Sequence, residues 1–412
     1  MSSDHVRVVH AADIHLDSPM QGLGTLEDRD LASALRLSTR RAFDALVQHC
    51  LEARPDALLI AGDLYDGDWR DYATGAYFAA RMSDLGDAGV PVVIVRGNHD
   101  AQSVIRRAVT LPPNAHVLRA DAPQTVTFDD VGLAVHGQSF ATRAVVTNLA
   151  QAYPDPVPGL CNIGVLHTSV AGYAGHDPYA PCDLVDLTGR GYDYFALGHV
   201  HAREILSPAP HTVAFSGNLQ GRHVREAGPK GAWSATVRPA APAALDFVAL
   251  DVARWQTVTV SADDLADMGE LVAAAGVALD AAASDADGRL LVVRVQVVGH
   301  ATFTCEPERL EAEVRAHGAR RTIGVSAVGV DLHPDPLRTA LPAHQRTQLA
   351  DAIAGAEAGA LLDLADLPML LSELGHDYLR PAGLDLRDPG TLEELLAEAA
   401  GELQQRADGG LL

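Results

Sequence analysis

Val95-Arg96-Gly97-Asn98-His99-Asp100 is the stretch that decides how this chain folds. It closes an apolar run, residues 90–95, that reads as a buried strand. At its end the apolar residues give way to Gly, Asn, His and Asp. Open α/β sheets present their chemistry at such points, on loops just past the carboxyl ends of strands. Four further apolar runs end in the same way. Residues 6–12 lead into Asp13-Ile14-His15, and residues 57–61 into Gly62-Asp63-Leu64-Tyr65-Asp66. Residues 162–166 lead into His167, and residues 192–197 into Gly198-His199-Val200-His201.

Between these runs the periodicity changes. Residues 30–54 space their apolar groups (Leu35, Ala42, Leu46, Leu51) as a helix does, and residues 73–85 read as a second helix. The opening is therefore strand–helix–strand–helix–strand, the rhythm of a layered α/β domain. Shorter strands are expected at 116–118, 125–128 and 131–136. A final meander is expected through Ile205, 213–215 and 233–237. An αβ first part beside a β-rich second part predicts two sheets face to face with helices outside.

Pro239-Ala240-Ala241-Pro242 is a turn signal, and the first domain is expected to occupy residues 1–253. A strand (257–260), helix (263–275), strand (290–298), helix (307–317) and strand (324–330) then predict a small α/β domain, residues 254–335. Ser261-Ala262-Asp263-Asp264 supplies cap residues and first-turn acids for its first helix. After the breaker-rich His333-Pro334-Asp335-Pro336, residues 336–412 read as an acidic helical tail with two leucine clusters. Those clusters suit packing on the chain itself or a docking surface for a partner helix.

Composition bounds the function. A chain of 412 residues, 48% hydrophobic, is long enough for two or three domains. Its formal net charge of −23 counts against a large basic surface for nucleic acid. A local basic patch, or a partner that supplies one, remains compatible. Cys50, Cys161, Cys182 and Cys305 lie far apart without CxxC pairing, as reduced thiols of a cytoplasmic protein would. No apolar run approaches the ~20 residues of a membrane span, and residues 1–10 do not read as a signal peptide.

The strand ends together offer Asp13, His15, Asp63, Asn98, His99, His167, His199 and His201. Carboxylate, imidazole and amide oxygen form the mixed donor set that suits manganese, iron or zinc. In Asp-x-His and His-x-His, alternate residues of an extended segment can face one site. The remaining histidines read mostly as surface or packing residues, His10 as structural, and His136 is left open. His176 is a candidate for the substrate entrance. Arg222, His223, Arg225 and Lys230 form the notable basic cluster near these motifs. Arg222 and His223 are the candidates for substrate phosphate, the alternative being a solvated basic turn. The string Gly217-Asn218-Leu219-Gln220-Gly221 matches neither a P-loop nor a dinucleotide fingerprint.

The order DxH, GDxxD, GNHD, H, GHxH resembles the calcineurin-like metallophosphoesterases. Residues 10–19 and 216–223 are similar to the SbcD-type DNA-repair nucleases, and more closely to their YhaO-like branch. The resemblance implies a four-layer αββα sandwich with a capping α/β domain over the site. It implies two divalent metals, manganese first, with iron or zinc as alternatives. One metal would take Asp13, His15, Asp63 and His201; the other would take Asp63, Asn98, His167 and His199. His99 would protonate the leaving group, and Asp66 would orient it, where some nuclease relatives carry histidine. The implied activity is a manganese-dependent DNA phosphodiesterase of repair, a 3′-to-5′ exonuclease with endonuclease action also open. The implied partners are DNA, a second copy in a homodimer, and a coiled-coil ATPase of the SbcC or YhaN kind. A phosphoesterase for a small molecule or nucleotide, and a non-catalytic scaffold, are the alternatives.

Overall fold

In the computed structural model, which describes residues 5–18, 20, 29–66, 72–102, 109–170, 179–301 and 303–334, the expected strand–helix alternation opens the chain. It runs β1 (Val6–Ala11), α1 (Arg29–Arg36), α2 (Ser38–Ala53), β2 (Ala57–Ala61), α3 (Tyr72–Asp87) and β3 (Val92–Val95). The single helix expected over 30–54 is broken at Leu37. There the backbone N–H reaches only to the carbonyl of Ala34, a tight three-residue turn, and α2 starts afresh. Arg54 ends α2 in a left-handed conformation, its N–H on the Cys50 carbonyl.

β4 (Ala115–Val117), β5 (Gln124–Phe128), β6 (Leu133–Gly137) and β7 (Cys161–His167) follow, then the short helix α4 (Leu184–Thr188) and β8 (Tyr194–Gly198). β9 (Glu204–Ser207), β10 (Thr212–Phe215), β11 (Gly231–Val237) and β12 (Ala244–Ala249) complete two six-stranded sheets. Their orders are β12-β11-β1-β2-β3-β4 and β5-β6-β7-β8-β10-β9. β1, β2 and β3 are mutually parallel, as are β6, β7 and β8, so their carboxyl ends share one edge of each sheet.

Strand alternation builds the layers. In β2, Leu58 and Ile60 face Phe43, Leu46, Phe78 and Leu85 of α2 and α3, while Ala57, Leu59 and Ala61 face the second sheet. Between the sheets Leu59, Val93 and Val95 meet Val135, Ile163, Val165 and Tyr194. The outer face of the second sheet, including Leu166, Phe195 and Phe215, is covered by Phe140, Tyr153, Leu187 and Tyr192. This is the αββα sandwich.

The expected closing meander is corrected. β10 joins β8 in parallel, with β9 antiparallel on its far side, and β11 leaves for the other sheet to lie antiparallel to β1. The reason lies in the alternation of β11, whose one fully apolar face fits between the two sheets. Trp233, Ala235 and Val237 fill the space between the sheets, while Ala232 packs under the helices. β12 pairs with it across the Pro239–Pro242 turn and was not expected from its sequence.

The chain divides into two compact units. The first comprises Met1–Val258, Gly276–Val295 and Glu311–Val328; the second is built on Thr259–Ala275 and Gln296–Leu310. After β12 come β13 (Ala253–Ser261), α5 (Met268–Asp285), β14 (Leu290–Ala301), α6 (Pro307–Arg320) and β15 (Ile323–Pro334), with the strands in one three-stranded sheet. α5 begins later than expected. The Asp263 carboxylate is engaged by Ser261 Oγ at 2.8 Å and by the His300 N–H at 2.8 Å, and Asp267 instead accepts the Glu270 N–H at 2.9 Å. Within the first unit, Ala253, Trp255 and Val292 pack with Met20, Leu31 and Leu35. The tail expected at 336–412, with its leucine clusters, lies outside the described residues, as does His176. No described helix is long and apolar enough to cross a membrane.

Candidate metal centre

The five strand ends meet. Asp13, His15, Asp63, Asn98, His167 and His199 are all nearly inaccessible to solvent. Three clusters have one donor atom per residue within 4.8 Å of the others: Asp13, His15 and His201; His15, Asp66 and His99; Asp13, Asp63 and His167. The loops are brought this close by glycine. At Gly97 a Cβ would sit 2.3 Å from Asp63 Oδ1, and at Gly198 one would sit 2.0 Å from the Ala61 carbonyl oxygen. The backbone is held in an unusual region where the donors project. Asp13, His15 and Asp63 have φ of 48°, 44° and 51°, and His199 has 105°. Such strain persists only where surrounding contacts over-determine it, and it clusters at functional sites.

The charges are crowded. Burial, followed by the neighbouring Asp63, raises the Asp13 carboxyl well above its ordinary range. Burial pushes Asp63 up to about 6, although His99 draws it down. Burial pushes His15 and His167 down to about 3 and lowers His201 as well. Neutral imidazoles facing carboxylates that resist ionisation describe a pocket short of positive charge.

Hydrogen bonds fix which nitrogens are bare. His15 Nδ1 donates to Asp66 Oδ1 at 2.6 Å, and His201 Nδ1 donates to Glu226 Oε1 at 2.6 Å. The two Nε2 atoms therefore carry lone pairs, and they face each other at 3.3 Å. His167 Nδ1 donates to the Ala61 carbonyl at 3.0 Å, which leaves its Nε2 lone pair 2.9 Å from Asn98 Oδ1 and 3.5 Å from Asp63 Oδ2. Acceptors pointed at acceptors repel unless a cation lies among them. The donor set therefore fits divalent metal ions, in the carboxylate–histidine arrangement common to such sites.

The expected acid and its orienting carboxylate are also here. His99 Nδ1 lies 3.3 Å from Asp66 Oδ1, and its side chain is 37% exposed, more than that of His15, His167 or His201. Its pKa is raised, first by that hydrogen bond, against the opposing effect of burial. Asp66 is shared rather than dedicated, because the same oxygen takes the shorter bond from His15. Burial acts to raise the Asp66 pKa, but the hydrogen bonds from His15 and His99 outweigh it and lower it. Arg222 Nη1 lies 3.7 Å from Asp66 and 3.3 Å from Ser18 Oγ, which places this guanidinium at the rim of the cluster. His223 Nε2 turns towards Glu226, at 3.6 Å.

Three supporting residues carried no role in the sequence reading. Glu226 holds His201 as described. Asp100 is buried and accepts the N–H groups of Leu64, Tyr65 and Gly97 at 3.1, 2.9 and 3.0 Å, tying two of the loops together. Lys230 Nζ donates to the His201 carbonyl at 2.8 Å. For Asp100 the signal was present, since a short acceptor three residues after Gly97 closes its own turn. For Glu226 there was none, and Lys230 was marked only as a member of the basic cluster. Other histidines are structural: His10 bonds Tyr194 and the Leu197 carbonyl, and His136 stacks on Tyr192 between Thr125 and Asn162. Asp17 pairs with Arg40 and accepts from Thr74, away from the donor cluster. The four cysteines are free.

Comparison with known proteins agrees with this geometry. Residues 6–203 match the calcineurin-like phosphoesterases, and residues 255–333 match the middle domain of metallophosphoesterase YhaO. The chain is 33% identical over 226 residues to the uncharacterized metallophosphoesterase YhaO of Bacillus subtilis, covering 54% of this chain and 55% of that one. It is 29% identical to the DNA double-strand break repair protein Mre11 of Methanopyrus kandleri (50% and 48% covered) and to that of Aeropyrum pernix (53% and 55%). The chain thus spans about half the length of the curated relatives it matches.

Proposed function

We propose that this chain, which carries a calcineurin-like phosphoesterase domain over residues 6–203 and a YhaO-type middle domain over residues 255–333, hydrolyses phosphodiester bonds of DNA in repair. The observation that carries the reading is the convergence of five strand ends on one buried Asp/His/Asn cluster with bare imidazole nitrogens. The assignment to DNA is supported by likeness to two proteins named for double-strand break repair. In this reading Asp13, His15, Asp63 and His201 hold one divalent metal, and Asp63, Asn98, His167 and His199 hold the second. Manganese is the proposed ion. Such a pair supplies Lewis-acid polarisation of a phosphoryl group and a source of hydroxide near neutral pH.

The chain's own residues do the rest. Arg222 stands at the rim, where a guanidinium can take two phosphate oxygens. His99 is accessible and its pKa is raised, so it can donate a proton to the leaving oxygen, while Asp66 stands beside the ring's Nδ1. We propose 3′-to-5′ exonuclease action, with endonuclease action as a further outcome of the assay. A second copy and a coiled-coil ATPase are the proposed partners, and the middle domain is the proposed selector of substrate. The net charge of −23 favours a second reading, a phosphoesterase for a small molecule or nucleotide, unless a partner supplies the basic surface.

End-labelled linear duplex DNA with manganese, beside a bis-aryl phosphodiester, separates the two. Cleavage of DNA that is lost in Asp63→Asn and strongly reduced in His99→Ala supports the nuclease. Turnover of the small diester with DNA untouched, also after addition of the ATPase, selects the second reading.

A further inference from the structure

We propose that Glu226 is a positioning residue that sets the tautomer of His201 and locks the Arg222 loop to it, so that metal grip and phosphate grip form as one unit. The inference rests on the two-metal reading of the site. Glu226 is only 6% exposed. Its Oε1 accepts His201 Nδ1–H at 2.6 Å, while its Oε2 accepts the Arg222 backbone N–H at 2.7 Å and Asn218 Nδ2 at 3.0 Å. The Arg222 guanidinium adds a contact from Nη2 to Oε1 at 3.4 Å. One carboxylate therefore joins a candidate metal ligand to the backbone that carries the candidate phosphate contact. His201 is held from its main chain too, through the Lys230 bond to its carbonyl.

A buried carboxylate with this many donors has a definite task. Without it, His201 Nδ1 would lose its acceptor and the ring could place its proton on Nε2, the atom that faces His15 Nε2. A proton there blocks coordination. Residues that orient metal-ligating histidines typically carry about 10- to 100-fold in metal affinity.

The test uses the full chain in its metal-free form, so that it does not depend on activity. Nitrogen NMR of labelled histidines, with His201→Gln for assignment, reports the His201 tautomer. Manganese titration calorimetry on the same samples reports affinity. The expected result is a proton on Nδ1 in the wild type and in Glu226→Gln, whose amide oxygen still accepts. Glu226→Ala is expected to show mixed tautomers and about 10- to 100-fold weaker manganese binding. A wild-type proton on Nε2 overturns the proposal, whether or not the alanine variant folds. So does a folded Glu226→Ala with unchanged tautomer and affinity. Failure of the nuclease reading looks different: wild type and Glu226→Gln would bind manganese with the expected tautomer and leave DNA intact, whether or not the diester is turned over.

Discussion

The loops after β1, β2 and β3 and the segment 216–230 face the same donor cluster, yet they are built on opposite principles. The loops present their donors at once, within a few residues of a strand end, and pay for it in backbone strain at Asp13, His15 and Asp63. The later segment places its Arg222 at the rim, but its buried groups, Asn218, Glu226 and Lys230, serve mainly to hold other parts. The difference separates the groups proposed to do chemistry from the groups that hold them in place. Loss of the first kind should abolish function in a folded protein, and loss of the second should weaken it in proportion to the contacts removed.

Asp63→Asn is the sharpest way to break that contrast. It removes the carboxylate proposed to bridge both metals while keeping the shape and an oxygen acceptor for the His99 N–H. Hydrolysis should fall by at least about 10³-fold with little change in melting temperature. A variant that unfolds instead would place Asp63 among the holding groups.

Two glycines sharpen it further. At Gly198 an added methyl meets the Ala61 backbone carbonyl at 2.0 Å, whereas at Gly89 nothing lies within 4 Å, although φ is +77°. Gly198→Ala should cost about 3 kcal/mol or more and remove metal binding. Gly89→Ala should cost about 1 kcal/mol, from φ alone, and leave metal binding intact. Urea unfolding and metal titration of both variants check this.

Asp100→Asn tests the holding class directly. One amide oxygen must replace two carboxylate oxygens that serve three N–H groups. A loss of about 1–3 kcal/mol in stability is expected, with a partial fall in hydrolysis. Complete inactivity of a fully stable variant would move Asp100 to the chemical class.

His10 is a buried histidine outside the cluster, and its effect appears only as the pH changes. Burial pushes it down to about 3, against the raising effect of the Leu197 carbonyl. In the unfolded chain its value is about 6.5, so between those limits the unfolded state binds a proton that the folded state refuses. Its contribution is full above pH 6.5 and is lost as the pH falls towards 3. His10→Gln should therefore lose about 2 kcal/mol less stability than wild type between pH 6.5 and pH 5, as read by urea unfolding at both values.

The same contrast explains what could be read in the sequence. Chemical groups sit where an apolar strand stops, so a one-dimensional pattern finds them: all five motifs lie where the strands of the two sheets end. Holding groups are fixed by tertiary geometry. Glu226 lies 25 residues from His201 along the chain, with no motif between, and nothing local marks the carboxylate as buried. Asp66 was read as a partner of His99 alone because His15 is 51 residues away, yet it makes the shorter bond. Strand β11 was misplaced for a similar reason, since its alternating Trp233, Ala235 and Val237 state that one face meets a core but not in which sheet. The start of α5 moved because Asp263 found a partner in His300, 37 residues on.

The most direct measurement for the central claim is manganese stoichiometry, by titration calorimetry on metal-free protein. Two ions per chain are expected for the wild type, with loss of at least one in Asp63→Asn and the protein still folded. Wild-type protein that binds no manganese, or Asp63→Asn that binds two ions as tightly, would contradict it.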